Sequence, residues 1–280
     1  MKSVSTVFLL LFLLSSCGQE EPKQKSIPKP VPVETVLQSF QNLIDESALS
    51  GAVLLYHPKT NHWHSNDFNW TSIPRLPAST YKIPHSIIAL ETATIENEET
   101  IIPWDGNERG QDIWEQDLSF RKAFQYSCVP CYQSIAREIG AEKMKSYLRK
   151  LDYGYMDVNE NNIDQFWLQG KSRISQKEQV LFLERFYNKE LLIEDRSYQI
   201  MKDIMLIEKN DEYSLSGKTA WAVQNEKNNA WFVGYVETKD DLYYFATNIS
   251  SITNHNLDRF VKLRKEITMK ALRLQGIISE

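Results

Sequence analysis

The last third of the chain most narrows the folds open to it. Glu212 to Val223, Ala230 to Thr238 and Leu242 to Ile249 are runs rich in β-branched and aromatic residues, parted by the polar stretches Gln224 to Asn229 and Lys239-Asp240-Asp241. Three consecutive strands with such short connections predict an antiparallel meander. After it, Leu257, Phe260, Val261, Ile267, Ala271 and Leu274 recur at helical spacing, so a helix from about Asn256 to Leu274 closes the chain.

The other end supplies the complement. Glu34 to Leu49 puts Val36, Leu37, Phe40, Leu43 and Ile44 on one helical face, and Ser50 to His57 then reads as a strand. Pro58-Lys59-Thr60-Asn61 is turn chemistry, with His62 to Ser65 as the returning strand. Another helix is expected from about Ser79 through Ile83, Ile87, Ile88 and Leu90. Between Asp105 and Ile200 helical periods and loops dominate, without a convincing strand. The expected architecture is α/β (α+β): an antiparallel sheet flanked by N- and C-terminal helices, with a mostly helical subdomain at about 105–200 inserted into one domain spanning 34–280.

What precedes that domain reads as targeting. Residues 1–16 run from Met-Lys through the apolar Val7 to Leu14 to Ser15-Ser16, the order of a secretory signal peptide and too short for a stable membrane span. Leu14-Ser15-Ser16-Cys17 is similar to a bacterial lipoprotein processing site, which would make Cys17 the lipid-bearing first residue of a periplasmic, membrane-anchored protein. Residues 17–33 carry Pro22, Pro28, Pro30 and Pro32 among polar residues and read as a tether.

A net charge of -5, with basic residues scattered, leaves no electrostatic footprint for nucleic acid. Cys17 aside, only Cys128 and Cys131 remain, so no disulfide framework holds the fold. Their Cys-x-x-Cys spacing lacks the strand-helix setting of a thioredoxin-like site; they read as buried packing residues, with a disulfide possible and not required. His57, His62 and His64 fall around the expected hairpin and read as a surface turn, so no metal is expected.

Chemistry enters with Ser79-Thr80-Tyr81-Lys82. At a helix start, this Ser-x-x-Lys spacing brings a hydroxyl and an amine to one face. Serine needs a neighbouring base to become a nucleophile, and lysine serves as one when burial lowers its pKa. Alone, the motif reads more readily as a helix cap at Ser79 with a solvated first-turn lysine at Lys82. Ser127 stands before a second helical stretch, where it could relay a proton or merely cap. Lys218-Thr219-Ala220 lies on the first meander strand. Ser-x-x-Lys, a serine triplet and Lys-Thr-Gly, in that order, form the pattern of penicillin-interacting serine enzymes. Here Ser127-Cys128-Val129 and Lys218-Thr219-Ala220 take the second and third places.

The resemblance extends beyond the triplets. Pro77 to Glu91, Trp104-Asp105-Gly106, Tyr126 to Gly140, Ile163 to Ser175 and Trp231 to Glu237 resemble the class D (oxacillinase-type) serine β-lactamases. The resemblance implies hydrolysis of β-lactams through an acyl-enzyme on Ser79. It implies a Lys82 carboxylated by carbon dioxide as general base, a Trp167 hydrogen-bonded to that group, and Ser127 as proton relay. Val129, Lys218 and Thr219 would line the substrate site, and the backbone N-H groups of Ser79 and Ala220 would form the oxyanion hole. Arg264, within the apolar stripe of the last helix, matches the family's carboxylate-binding arginine better than Arg259; a structural ion pair is the other reading.

Two departures bear on substrate range. The family's Tyr-Gly-Asn is Tyr153-Gly154-Tyr155, and its Lys-Thr-Gly ends in Ala220, whose methyl could crowd a substrate beside the strand. A β-lactam-sensing domain with a persistent acyl-enzyme and a D,D-peptidase are the alternative functions. The expected state is monomer or homodimer.

Overall fold

A computed structural model describes residues 31–224, 226–252 and 257–279. The leader 1–16, Cys17 and the tether up to residue 30 lie outside the described residues. In chain order the elements are β1 (Val33–Val36), α1 (Gln38–Glu46), β2 (Ser50–His57), β3 (His62–Ser65), α2 (Phe68–Ser72), a 3-10 turn (Ala78–Tyr81) and α3 (Lys82–Glu91). Then come β4 (Ile101–Ile102), β5 (Leu118–Ser119), α4 (Phe120–Gln125), α5 (Val129–Ile139), α6 (Ala141–Leu151), α7 (Gln176–Tyr187) and α8 (Asp195–Met205). The chain finishes with β6 (Leu206–Lys209), β7 (Tyr213–Gln224), β8 (Lys227–Thr238), β9 (Leu242–Ile252) and α9 (Leu257–Leu274).

One seven-stranded sheet runs β1-β3-β2-β9-β8-β7-β6. The meander and closing helix stand where the sequence put them, but the strands are longer. Asn228 and Asn229, expected in a turn, are paired strand residues. The Trp221 indole donates to Asn228 (2.9 Å) and Asn229 donates to the Leu76 carbonyl (2.9 Å), so side-chain partners offset the poor strand propensity of asparagine. Gly217 and Gly234 face one another across β7 and β8, and a Cβ on either would run into a carbonyl of the opposite strand.

Three expectations need correction. The helix expected over Glu34 to Leu49 is preceded by β1, which pairs parallel with β3, and the helix itself covers only Gln38–Glu46. Val36, assigned to the helix's apolar face, is exposed on that strand. The sheet is therefore not purely antiparallel. The stretch from Asp105 to Ile200, expected without strands, contains β5, which makes a small ladder with β4. Finally, Ser79 lies in the 3-10 turn, and α3 starts at Lys82.

Both faces of the sheet are covered. Phe40, Leu43 and Ile44 of α1 join Phe260, Leu263 and Ile267 of α9 over Val53, Phe232, Phe245 and Ile249. The opposite face presents Leu54, Tyr56, Trp231 and Val233 to the helical part, where Ile83, Ile87, Val180 and Leu183 meet them. Each fully buried large side chain contributes about 1.5–3 kcal/mol of burial. The site lies where this helical part meets β7.

Candidate active site

Ser79 is held by a braced turn. Ala78, just before it, takes a left-handed φ of 48°, which non-glycine residues rarely adopt and which sharpens the turn. The Leu76 carbonyl accepts from both the Trp231 indole and Asn229 at 2.9 Å, tying the segment to the sheet. Behind it, Tyr153 donates to Gln179 (2.9 Å), Gln179 to the Thr80 hydroxyl (2.8 Å) and Thr80 to the Pro77 carbonyl (2.8 Å). This chain of buried hydrogen bonds fixes the direction of the serine side chain.

Lys82 Nζ lies 3.1 Å from Ser79 Oγ. The lysine is fully buried, its amine 4.9 Å from the centre of the Tyr132 ring. Burial, reinforced by the charge of Lys218, holds the ammonium pKa well below the ordinary lysine value. A neutral amine has a lone pair, which an exposed lysine at pH 7 lacks. Trp167 is also fully buried, stacked on Tyr81 and edge-on to Phe166, and its indole N-H has no hydrogen-bond partner among the described residues. A buried amine with a lowered pKa and a buried donor without a partner fit a carboxyl group carried by Lys82, whose oxygens would be the missing acceptors.

Ser127 is not the cap of α5. Cys128 holds that place, its sulfur accepting the Cys131 N-H at 3.2 Å, and Cys128 and Cys131 are joined by a disulfide. Both cysteines are buried, so packing and cross-link coexist. Ser127 has a left-handed φ of 57°, a costly conformation for a residue with a Cβ, and is half-buried. Val129, also half-buried, opens α5 beside it.

On β7, Lys218 and Ala220 point to the helical side, and Thr219 to the side of α9. Lys218 is buried; its amine donates to the Thr219 carbonyl (3.2 Å), and burial with the Arg264 charge pushes its pKa down to about 7. Thr219 and Arg264 line a cleft of about 610 Å³ with Val261, Lys265 and Met269. Nε and Nη1 of Arg264 are buried without a partner among the described residues, and burial pushes the guanidinium down to about 10. Arg259, by contrast, is exposed and paired with Glu266 at 2.7 Å. Among the described residues Arg264 has no ion-pair partner, so its buried cationic group lacks a counter-charge there.

The two departures separate. Ala220 is 2% exposed and its methyl belongs to the apolar cluster around Trp231. Tyr155 is 60% exposed, its backbone paired with Arg173, and it lines a surface cleft with Lys145, Arg149 and Asp152. The expectation that both reshape the substrate pocket reduces to Ala220. A residue given no role from sequence, His85, proves fully buried beside Lys82 and Trp167.

A family model described as the penicillin binding protein transpeptidase domain matches residues 48–269. Beta-lactamase OXA-48 of Klebsiella pneumoniae is 37% identical over 241 residues, covering 86% of this chain and 89% of that protein. Beta-lactamase OXA-10 of Pseudomonas aeruginosa is 38% identical over 243 residues, 86% of this chain and 90% of that protein. The crystal structure of the class D β-lactamase from Sebaldella termitidis superposes with a TM-score of 0.84 at 35% identity, over 89% of this chain and all of that one. With its Ser-x-x-Lys pair in hydrogen-bonding contact at the foot of β7, the chain belongs to the class D β-lactamases.

Proposed function

We propose that the protein hydrolyses β-lactam antibiotics with Ser79 as nucleophile. The observation that carries the assignment of Ser79 is its contact, at 3.1 Å, with a fully buried lysine amine whose pKa burial holds well below the ordinary value. The Ser79 oxygen attacks the lactam carbonyl carbon and the ring C-N bond breaks. The nitrogen takes a proton through Ser127, and water later cleaves the ester. Lys82, carboxylated by carbon dioxide and held by Trp167, supplies the carboxylate that serves as general base. The N-H groups of Ser79 and Ala220 stabilise the oxyanion, which the packing of the 3-10 turn against β7 supports. Val129 borders the bound substrate. Lys218, Thr219 and Arg264 hold the substrate carboxylate; the buried guanidinium nitrogens of Arg264, without a partner among the described residues, support that reading.

Nitrocefin turnover stimulated by bicarbonate, with a Ser79-dependent mass increase under penicillin, is the expected outcome. Acylation without turnover even at high bicarbonate refutes hydrolysis in favour of sensing, and release of D-alanine from a stem peptide points to a D,D-peptidase. We further propose that Cys17 carries lipid and anchors the chain at a periplasmic membrane surface. Incorporation of labelled palmitate that persists in Cys17→Ser would refute this.

A further inference from the structure

His85 lies one helical turn beyond Lys82 on α3, on the same face. It is fully buried, and neither Nδ1 nor Nε2 has a hydrogen-bond partner among the described residues. Two unmet polar atoms on one buried ring are costly, and folds rarely leave them so without a function for the site.

The neighbours of the ring show what is missing. Tyr132 meets His85 edge-on at 5.1 Å, but its hydroxyl is engaged with Ser86 at 2.6 Å. Tyr81 lies 5.4 Å away, its hydroxyl directed to the Met144 sulfur at 3.0 Å. Trp167 packs edge-on at 5.3 Å with its own N-H unmet. The aromatic wall thus offers ring surface and no acceptor. The polar group that shares this wall is Lys82, whose amine rests over the same Tyr132 ring. Burial pushes the imidazole pKa down, which favours the neutral ring with one N-H to give and one nitrogen to receive.

We propose that His85 is a positioning residue for the carboxylated form of Lys82, its imidazole N-H donating to one oxygen of the group while the Trp167 indole donates to the other. The inference rests on the reading that Lys82 is carboxylated. In forming that group, the Lys82 lone pair bonds to the carbon of carbon dioxide, one C=O π pair becomes the oxygen charge, and an amine proton leaves to solvent. Two neutral donors then meet two acceptor oxygens, and the Trp167 indole and one nitrogen of His85 are satisfied together.

The test is a titration of the full chain with ¹³C-bicarbonate, following by NMR the carbamate carbon that disappears in Lys82→Ala. His85→Leu, which keeps the volume and removes the donor, should raise the bicarbonate midpoint about tenfold to a hundredfold, as expected for a lost hydrogen bond to a charged group. His85→Asn or His85→Gln, which set an amide N-H near Nδ1 or Nε2, should bring it back to within about threefold. An unchanged midpoint in His85→Leu overturns the proposal, and so does a loss that neither amide repairs, because packing alone then explains it. Absence of a Lys82-dependent signal in the wild type overturns the carboxylation reading and this one with it, so the two failures are distinguishable.

Discussion

Replacing Arg264 by Met should make the protein more stable and less active at once. Two of its guanidinium nitrogens are buried and have no partner among the described residues. The fall of its pKa from the ordinary value to about 10 corresponds to a cost of about 3 kcal/mol for holding the charge there, present in full below pH ~10. Methionine keeps much of the apolar stem that packs beside Val261 and Met269 and removes the charge. Allowing for lost packing, a gain of about 2 kcal/mol is expected, or a Tm rise of about 4–8 °C for a domain of this size. The same substitution removes a charge-assisted contact to the substrate carboxylate worth about 1.5–3 kcal/mol, so kcat/KM should fall about 10- to 150-fold. Circular dichroism melts give the first number and nitrocefin kinetics the second. A β-lactam whose carboxylate is esterified supplies the control, since its kcat/KM should barely change. A variant that melts lower than wild type, or that loses as much activity on the ester as on the free acid, would refute the argument by showing Arg264 to be a structural cation.

Other perturbations read out neighbouring parts. Lys218, with its pKa pushed to about 7, keeps its proton below that pH and loses it above; kcat/KM for carboxylate substrates should therefore decline on the alkaline side from pH ~7, and Lys218→Arg should remove that limb up to pH ~9. Gly234→Ala drives a methyl into the Ser216 carbonyl and should cost about 2–4 kcal/mol, seen as a lower urea midpoint; a loss under 0.5 kcal/mol would mean that the strands separate easily there. The Cys128–Cys131 link closes a loop of separation three, so its reduction should cost at most about 2 kcal/mol in a reduced-versus-oxidised melt.

How much of this was legible in the sequence depended on whether the signal was local. The meander, α9 with Arg264 in its stripe, and the Ser79-Lys82 pair are stated by periodicity and spacing within a few residues. β1 is not, because Val36 and Leu37 extend the apolar helical pattern backwards and only the distant β3 gives Val33–Val36 a reason to be extended. β6 follows α8 without a breaker, and its sequence Leu-Ile-Glu-Lys carries no alternation, so its pairing with β7 decides its state. Asn228 and Asn229 read as turn residues because their side-chain hydrogen-bond partners, Trp221 and Leu76, are invisible to a local window. Cys-x-x-Cys suits a packed pair and a cross-link alike. A histidine on an apolar helix face reads as core, and that His85 lacks partners is known only once every neighbour has been placed.

The sheet order also sets when such a chain can begin to work. β2 and β9, neighbours in the middle of the sheet, pair from Tyr56 with Tyr244 to Ser50 with Ser250, so the chain must be made as far as Tyr244 before the first half of the sheet meets the second. Closing so long a loop is slow and brings no reward until it is complete. A nascent chain stopped between α3 and β9 has the Ser79-Lys82 turn but neither the strand that completes the sheet nor the helix that carries Arg264. Activity should thus emerge in one step once β9 and α9 have been added, and fragments lacking them should carry no residual hydrolysis that a cell would have to restrain.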